Sequence, residues 1–362
     1  MELLLILTAL LISFFLVLIT VPPIIRVAKA KHLYEPFEER KIHTTTIPPL
    51  GGVAIFISFV LSTIIASDGL NFDSLKYIIA AVIIMFFIGL KDDLLTISAS
   101  KKFLIQIFAA LLLITMGDIR ITDFHGIFGV HEIGYLTSLT LSLLSMIGII
   151  NAINLIDGID GLASGLSIVA AVIFGTWFYL SHNYQLSIMS FALAGSLSGF
   201  FLFNVFGNSN KLFMGDTGSL IIGIVMSTLI FKFNRLNLVS DPVNFTSPPA
   251  FSLAVVIVPI VDTLRVMTIR ILHKRSPFTA DKNHIHHRLL DLFPGSHLKV
   301  TTILISATLI IVTMAYLLNI SGLSSTIQFL AIAVVGVSSS FIPSLLVKRK
   351  KMKEAKLKTA TA

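Results

Sequence analysis

The chain has 362 residues, of which 55% are hydrophobic and only 13% are charged, and its mean hydropathy is +0.92. A soluble domain normally carries about 25% charged residues, so this composition excludes an ordinary water-soluble globule and indicates a polytopic membrane protein. The net charge of +8 does not indicate nucleic-acid binding, because the basic residues are scattered at the ends of apolar runs, and the lack of cysteine excludes disulfides and thiolate metal sites.

Apolar runs predict the membrane-spanning helices, since about 20 apolar residues cross a bilayer and open sheets cannot. Eleven such segments follow one another, at roughly 3–25, 49–67, 75–90, 103–117, 136–150, 162–180, 186–206, 217–233, 249–271, 299–319 and 324–347. The first lacks a basic n-region and a small-residue cleavage site, so we expect it to be retained as a span. Residues 118–135 contain β-branched residues and glycines that suggest a small hairpin or loop. The expected fold is therefore an all-α polytopic membrane protein with about 11 transmembrane helices.

The distribution of Lys and Arg predicts the orientation. With the N-terminus outside, the inner segments hold 22 of the 27 basic residues, the outer segments hold four, and Arg265 lies within a span. This asymmetry favours an outer N-terminus and a cytoplasmic C-terminus. Residues 1–347 are expected to form a single membrane domain, and the basic tail at 348–362 is interpreted as a topology anchor that contacts anionic lipid.

Two adjacent acids, Asp92 and Asp93, come at the inner end of the third span. Carboxylates near hydrocarbon are costly and usually functional, and two neighbouring ones repel each other unless a cation lies near them. Mg²⁺ takes such oxygen ligands together with substrate phosphates. A solvated pair of loop acids is the alternative.

The run NAINLIDGIDGLASG places Asn151, Asn154, Asp157 and Asp160 at intervals of three. On a helix this spacing would put them along one side, and the glycines among them allow close backbone approach or a break in the helix. A ligand-lined surface fits this pattern, and a helix–helix contact built on small and polar residues is the alternative.

Asp216 stands between glycines in FMGDTGS, just before an apolar span. It could be a helix N-cap, or it could be a metal ligand at a helix N-terminus, where phosphate binding is favoured. Both interpretations stay open from these residues alone.

Basic and imidazole side chains occur in two inner loops. DKNHIHHRLL contains His284, His286, His287 and Arg288, which suit the neutralisation of phosphate charge better than they suit zinc. A surface cluster is the alternative for them. RKIHTTTIPPLGG contains Arg40 and His43, for which a topology-setting loop is the alternative.

In this order, the motifs resemble those of the polyprenyl-phosphate N-acetylhexosamine-1-phosphate transferases, in glycosyltransferase family 4. The strongest pieces are NxxNxxDGxDGL at 151–162, FMGDTGSL at 213–220 and HIHHRL at 284–289, and the resemblance runs from about Arg40 to Arg288. It implies transfer of an N-acetylhexosamine 1-phosphate, GlcNAc-1-phosphate by default, from a UDP-sugar to undecaprenyl phosphate with release of UMP. It also implies Mg²⁺ or Mn²⁺, a bacterial inner membrane location with a cytoplasmic active site, a role in starting lipid-linked envelope glycans, and a possible homodimer.

The resemblance also implies roles for individual residues. Those expected to be catalytic are Asp92, Asp93, Asp160, His286 and His287. Those expected to bind substrate are Arg40, His43, Lys102, Asn154, Asp157, Asn204, Phe213, His284 and Arg288. Asp216 and Asn154 are the expected metal ligands.

Two departures favour the initiating-transferase branch over the phospho-N-acetylmuramoyl-pentapeptide transferases. That branch has a Lys where this chain has Thr96, and three consecutive histidines where this chain has Ile285 between His284 and His286. An ion-coupled transporter is the rival function, since carriers also use acids in broken helices. Carriers place these groups near the bilayer midplane, whereas here they come at inner span ends. A non-enzymatic scaffold would not need five polar motifs on one face.

Overall fold

The fold is an α-helical bundle with one small hairpin. The computed structural model describes residues 1–33, 47–67, 73–238, 243, 245–274 and 283–360. The helices in these residues are α1 (Glu2–Ala30), α2 (Gly51–Ala66), α3 (Leu75–Leu95), α4 (Ala99–Leu111), α5 (Tyr135–Ile156), α6 (Leu162–Leu180), α7 (Tyr184–Phe206), α8 (Gly215–Leu236), α9 (Pro248–Val255), α10 (Ile257–Leu272), α11 (Ile285–Leu292), α12 (His297–Ile320) and α13 (Ser325–Ala360). A π-helical turn, Leu112–Met116, extends α4. The strands β1 (Asp123–Ile127) and β2 (Val130–Glu132) pair antiparallel, which confirms the hairpin predicted at 118–135.

Eight of the described helical segments are long and apolar enough to cross a membrane, and the joined pair α9 and α10 makes nine. Among the described helices, α2 has only 16 residues, and α3 carries charged residues near both ends. These lengths and compositions confirm an all-α polytopic membrane protein. The predicted count of eleven spans and the orientation of the termini stay predictions.

The segment predicted as one span at 249–271 is two helices, and this correction matters for the site. α9 and α10 meet at an angle of 79°. Pro259 lies in the first turn of α10 and has no N–H to donate to the carbonyl of Val255, so a straight helix would lose a hydrogen bond there and meet a steric clash. The bend sets the direction of α10, which carries Asp262.

The helix α8 lies at the centre of the bundle and packs against α2, α3, α5, α6 and α9. Its residues from Thr217 to Phe231 are all buried, as expected for a helix that is apolar or small on every face. α1 packs along α7 and α2 at the side of this core. The buried centre therefore presents the first turn of α8 at one end of the bundle.

Contacts made by α8 and α13 show which segments lie at the same end of the helical bundle. Arg235, at the C-terminal end of α8, donates a 2.6 Å bond to Asp118 beside the hairpin, and Thr326, at the start of α13, accepts a 2.8 Å bond from the Phe128 amide. At the far end of α13, Lys350 donates to the carbonyl of Asp291 in α11 at 3.2 Å. The basic tail therefore continues α13 to the end of the bundle where α8 begins.

Candidate active site

The polar residues predicted from the sequence collect at the end of the bundle where α8 begins. α3 and α5 end there, and α4, α6 and α8 start there, so five helix termini surround one region. The short helix α11 packs beside α12 and α13 next to this region. The site is therefore built from helix ends rather than from residues in the middle of spans.

Asp93, near the end of α3, binds the first turn of α8. Its Oδ1 accepts a 2.7 Å bond from the Asp216 amide, and its Oδ2 accepts bonds from the Thr217 amide at 3.0 Å and the Thr217 hydroxyl at 2.5 Å. A carboxylate is favoured here because the first amides of a helix lack intrahelical acceptors and form the positive end of its dipole. Gly215 enters this turn with φ +71°, and a Cβ on it would lie 2.6 Å from Asp93 Oδ2. Asp93 thus caps α8, and the interpretation of Asp216 as its own N-cap is wrong.

Lys102 bridges the two other acids at this point. Its Nζ lies 2.5 Å from Asp216 Oδ2 and 3.0 Å from Asp92 Oδ2, and all three side chains are at most 30% exposed. The second oxygen of Asp92 accepts a 2.7 Å bond from the Ile97 amide. Two carboxylates therefore converge on one cation, which is the arrangement that their mutual repulsion requires. The interpretation of Asp92 and Asp93 as a solvated loop pair is wrong.

Asn154, in the last turn of α5, belongs to the same network. Its Nδ2 donates to Asp216 Oδ1 at 2.5 Å and to Ser219 Oγ at 2.8 Å. One turn earlier, Asn151 donates to Gln106 Oε1 of α4 at 2.9 Å. Asn151 therefore serves a helix–helix contact, whereas Asn154 orients the carboxylate of Asp216.

The predicted helical spacing of the NxxNxxD motif ends at Asn154. α5 stops at Ile156, and Asp157 and Asp160 lie in the turn that leads to α6. The two glycines of this turn, one of which has φ +76°, explain why the helix does not continue. The break that the glycines allowed therefore occurs before Asp157 and Asp160, so the four polar residues do not all share a helix side, although Asp157 still faces the other acids.

The two acids of this turn differ in their surroundings. Asp157 accepts no hydrogen bond from any described residue, and burial, with the negative charges of Asp216, Asp93 and Asp160, raises its pKa to about 7. Asp160 Oδ2 contacts Lys211 Nζ at 2.6 Å and His297 Nδ1 at 2.8 Å. Burial of Asp160 works against its ionisation, but the hydrogen bonds and positive charges of these two partners hold its pKa below the ordinary value.

The segment before α8 is held in place through backbone contacts. Asn204 accepts a 2.6 Å bond from the Gly161 amide and donates to the Leu212 carbonyl at 2.9 Å, so it joins the 157–161 turn to this segment. The Phe213 amide donates to the Pro48 carbonyl at 3.0 Å. Lys211 Nζ lies 5.8 Å from the centre of the half-buried Phe213 ring. Asn204 therefore positions the segment, while Phe213 stays partly accessible.

The histidine motif packs against the 157–161 turn from the other side. His284 and His286 are 5% and 1% exposed, so the interpretation as a surface cluster is wrong for them. A Cβ on Gly158 would lie 2.3 Å from His286 Nε2. Among the described residues, His286 Nδ1 has no hydrogen-bond partner, and burial, with the charge of His287, lowers the pKa of His286 to about 3. His286 is therefore a neutral ring beside the turn that carries Asp157.

The rest of α11 separates the polar site from an apolar cavity. His287 lies beside His286, with ring centres 4.3 Å apart. Arg288 donates a 2.5 Å bond to Asn283 Oδ1 within its own loop. On the other face of α11, Ile285 and Leu289 line a cavity of about 350 Å³, between α10, α12 and α13. The helix is thus apolar toward the span helices and polar toward the site.

Two predicted residues cannot be placed, and several others were missed. Arg40 and His43 lie outside the described residues. Lys211 and His297, which bind Asp160, and Thr217, which binds Asp93, were not predicted. Lys211 is only two residues before Phe213, so its nearness in sequence to the FMGDTGS motif could have indicated it. Since their partners are distant in sequence, no local pattern indicated these contacts.

The oxygen-rich donor set fits a hard divalent cation. Asp216 and Asp92 offer carboxylate oxygens on either side of Lys102, and Asn154 offers an amide beside them. Within the described part of the chain, no three His, Asp or Glu side chains are grouped as a complete metal cage. Mg²⁺ commonly keeps several waters and binds through one or two carboxylates and substrate phosphates, so two carboxylates are sufficient.

A family profile and several curated proteins match this chain. The profile of the family described as Glycosyl transferase family 4 matches residues 75–234, which span α3 to α8. The chain is 32% identical over 291 residues to the probable undecaprenyl-phosphate N-acetylglucosaminyl 1-phosphate transferase of Bacillus subtilis (strain 168), covering 79% of this chain and 77% of the relative. It is 33% identical over 289 residues to the decaprenyl-phosphate N-acetylglucosaminephosphotransferase of Mycobacterium leprae (strain TN), covering 74% and 72%. It is 28% identical over 272 residues to the undecaprenyl-phosphate alpha-N-acetylglucosaminyl 1-phosphate transferase of Escherichia coli (strain K12), covering 73% and 71%.

Proposed function

The chain belongs to glycosyl transferase family 4, and on that premise we propose that it transfers N-acetylglucosamine 1-phosphate from a UDP-sugar to undecaprenyl phosphate and releases UMP. The family agrees with the one predicted from the sequence motifs. The names of the relatives combine an N-acetylglucosamine phosphate group with a polyprenyl phosphate, which supports this reaction over a transporter and over transfer of a muramoyl-pentapeptide phosphate. The product would start a lipid-linked glycan of the cell envelope.

The observation that carries the proposal is the convergence of Asp92, Asp216 and Lys102 at one end of the bundle. A water-soluble nucleotide and a lipid phosphate can meet only near a membrane surface, and helix ends lie there. The reaction must bring two phosphate groups together, so their repulsion is the main obstacle. Lys102 offers a positive charge at this point, and Lys211 offers another beside Phe213.

In this reaction an oxygen of the acceptor phosphate attacks the β-phosphorus of the donor, and the bond from that phosphorus to the bridging oxygen of UMP breaks. Asp92 would act beside the acceptor phosphate, where its partner Lys102 supplies a positive charge for that anion. Asp93 would act indirectly, by holding the first turn of α8 and the side chain of Asp216 in place, since both its oxygens accept hydrogen bonds from that turn. Phe213 can stack on uracil, and Asp157, Asp160 and the histidines border the same region.

The proposal includes Mg²⁺, with Mn²⁺ as a substitute, held by Asp216 and Asn154. When bound, the cation would neutralise charge on the donor diphosphate and favour the departure of UMP. The hydrogen bond from Asn154 to Asp216 supports a shared site, because it brings the two side chains together. Asn154, which also donates to Ser219, orients the carboxylate of Asp216.

The location in a bacterial inner membrane, with the site on the cytoplasmic face, is also part of the proposal. Its support is the contact of Lys350 with α11, which brings the basic tail to the end of the bundle that holds the acids. Cytoplasmic segments are enriched in Lys and Arg, so this end is the one expected to face the cytoplasm. A homodimer stays a prediction.

The test is UMP release by the purified protein with undecaprenyl phosphate, Mg²⁺ and a panel of UDP-N-acetyl sugars. The expected result is release that needs the lipid, the metal and UDP-N-acetylglucosamine. Asp216→Asn should abolish release while the protein still inserts in the membrane, and Phe213→Ala should raise the KM for the nucleotide more than that for the lipid. Full Mg²⁺-dependent activity of Asp216→Asn would refute the metal assignment, and preference for another sugar would replace the donor.

A further inference from the structure

Asp262, on α10, is a buried acid that lies outside the cluster around Asp216. Its side chain is 1% exposed, and it is in the bent helix pair rather than in a loop. Its Oδ2 lies 3.0 Å from His284 Nδ1, and its Oδ1 accepts a 2.8 Å bond from the Ile285 amide. A charged group buried this deeply requires partners, and these two belong to the histidine motif.

Arg265, one turn further along α10, supplies the opposite charge. Its Nη2 lies 3.4 Å from Asp262 Oδ1 and donates to the Asn283 carbonyl, and its Nη1 lies 3.2 Å from Ser344 Oγ on α13. The side chain is only 4% exposed. The ion pair therefore sits between α10, α13 and the start of α11, and it connects the histidine motif to two span helices.

The bond from His284 to Asp262 determines the state of the imidazole. A carboxylate only accepts, so His284 Nδ1 carries a proton, and in the neutral ring Nε2 is the acceptor. The bond from the Ile285 amide fixes the first turn of α11 in the same way that Asp93 fixes α8. His286, in that first turn, is then held against Gly158. One carboxylate thus controls both the tautomer of His284 and the position of His286.

We propose that Asp262 is a positioning residue for the transfer reaction, which acts by holding the tautomer of His284 and the first turn of α11 against the Asp157 turn. This inference rests on the proposed function, because it takes the histidine motif as part of the active site. Asp262 itself does not contact the acids around Lys102, and among the described residues expected to bind substrate it contacts His284 alone. Its effect on turnover must pass through the histidines.

The substitution Asp262→Asn separates the two tasks of the carboxylate. The amide oxygen can still accept from Ile285, while the amide nitrogen then faces His284 Nδ1 and forces that nitrogen to become the acceptor. We expect the tautomer of His284 to invert and kcat for UMP release to fall at least about 10-fold, as when an orienting partner of a functional histidine is lost. The loss should appear more in kcat than in the KM for either substrate, and Asp262→Glu should recover part of the turnover.

Two measurements separate positioning from a general loss of structure. Nitrogen-15 NMR of labelled histidine in lipid nanodiscs, with His284→Gln to assign the signal, reports the tautomer directly. The double variant Asp262→Asn/His284→Gln should turn over no more slowly than His284→Gln alone, because a residue that acts through another is not additive with it. Ser344→Ala is the matched control, since it removes a contact of Arg265 without touching His284, and it should keep wild-type turnover.

An unchanged tautomer in Asp262→Asn, wild-type turnover of this variant, or additive losses in the double variant would each overturn the proposal. Should Asp262→Asn not fold, the same cycle with Asp262→Glu decides between additive and non-additive losses. A wild-type protein that releases no UMP with any sugar would instead refute the proposed function, and the NMR measurement would still decide whether Asp262 sets the tautomer.

Discussion

The hydroxyl of Thr217 donates a 2.5 Å hydrogen bond to Asp93, and with two backbone amides it joins the end of α3 to the start of α8. The adjacent Asp92 points instead to Lys102. Two neighbouring acids that look equivalent in the sequence thus have different tasks. Asp93 holds the central helix in place, and Asp92 faces the region where phosphates would meet.

Asp93→Asn is therefore expected to lower stability. The amide can accept at one oxygen only, so at least one of three donors in a buried turn loses its partner, at a cost of about 1–3 kcal/mol. The melting temperature of the purified protein in detergent measures this loss. Asp92→Asn is the matched control, one residue earlier, and it should lose UMP release with little change in melting temperature. Equal falls in melting temperature would contradict the separation of tasks.

Lys102→Met is expected to slow the reaction and to tighten metal binding. The variant removes the positive charge between Asp92 and Asp216, so the two carboxylates repel each other and attract a divalent cation more strongly. Turnover should fall by about 10²-fold, the cost of losing one charge-stabilising group in an active site. Mn²⁺ binding followed by electron paramagnetic resonance measures the affinity. The exposed neighbour Lys101→Met should change neither quantity, and weaker Mn²⁺ binding by Lys102→Met would refute this account.

How much the sequence could predict depends on whether a feature is local. The apolar runs located the helices, and the hairpin, the central acids and Asn154 were predicted from short patterns. The bond between Lys102 and Asp216 joins residues 114 positions apart, and no local spacing indicates it. The bend before Asp262 was also missed, because Pro259 interrupts an otherwise continuous apolar run, whereas Gly158 and Gly161 had already indicated that the helix could break near Asp157. Asp262 could have been predicted, since an acid within an apolar span is a functional candidate by the same rule that singled out Asp92.

Stability should depend on pH through His286. In the unfolded chain this histidine binds a proton below its ordinary pKa of 6.5, whereas the folded protein binds it only near pH 3. The unfolded state therefore holds more protons between these values. The stabilising contribution of His286 is full above pH 6.5 and is lost as the pH is lowered, by at most about 1.4 kcal/mol per pH unit, while the raised pKa of Asp157 contributes in the opposite sense below pH 7.

Melting temperatures at pH 7.5, 6.5 and 5.5 test this slope. His286→Gln should lose this contribution, so that its melting temperature should rise relative to that of the wild type as the pH is lowered. The groups that face this position, His287, Asp262, His284 and His297, all remain in the variant. His182→Gln is the control, since His182 is exposed in the link between α6 and α7 and should leave the slope as in the wild type. The same slope in His286→Gln and the wild type would contradict the assignment to His286.

Gly158→Ala should disturb the contact between the 157–161 turn and His286 of α11. A Cβ at this position would lie 2.3 Å from His286 Nε2 and 3.1 Å from two ring carbons, and the 1% exposed ring has no room to swing away. The turn must therefore shift and carry Asp157 and Asp160 with it. We expect UMP release to fall at least about 10-fold and stability to fall by about 1–3 kcal/mol, as for other overpacked positions.

Gly148→Ala in α5 is the control: its Cβ meets no atom within 4 Å, so the variant should keep full activity, with equal or higher stability because alanine favours a helix. In a His286→Ala background the ring is gone, so Gly158→Ala should no longer lower the melting temperature, and a loss that persists there would show that the strain comes from another neighbour.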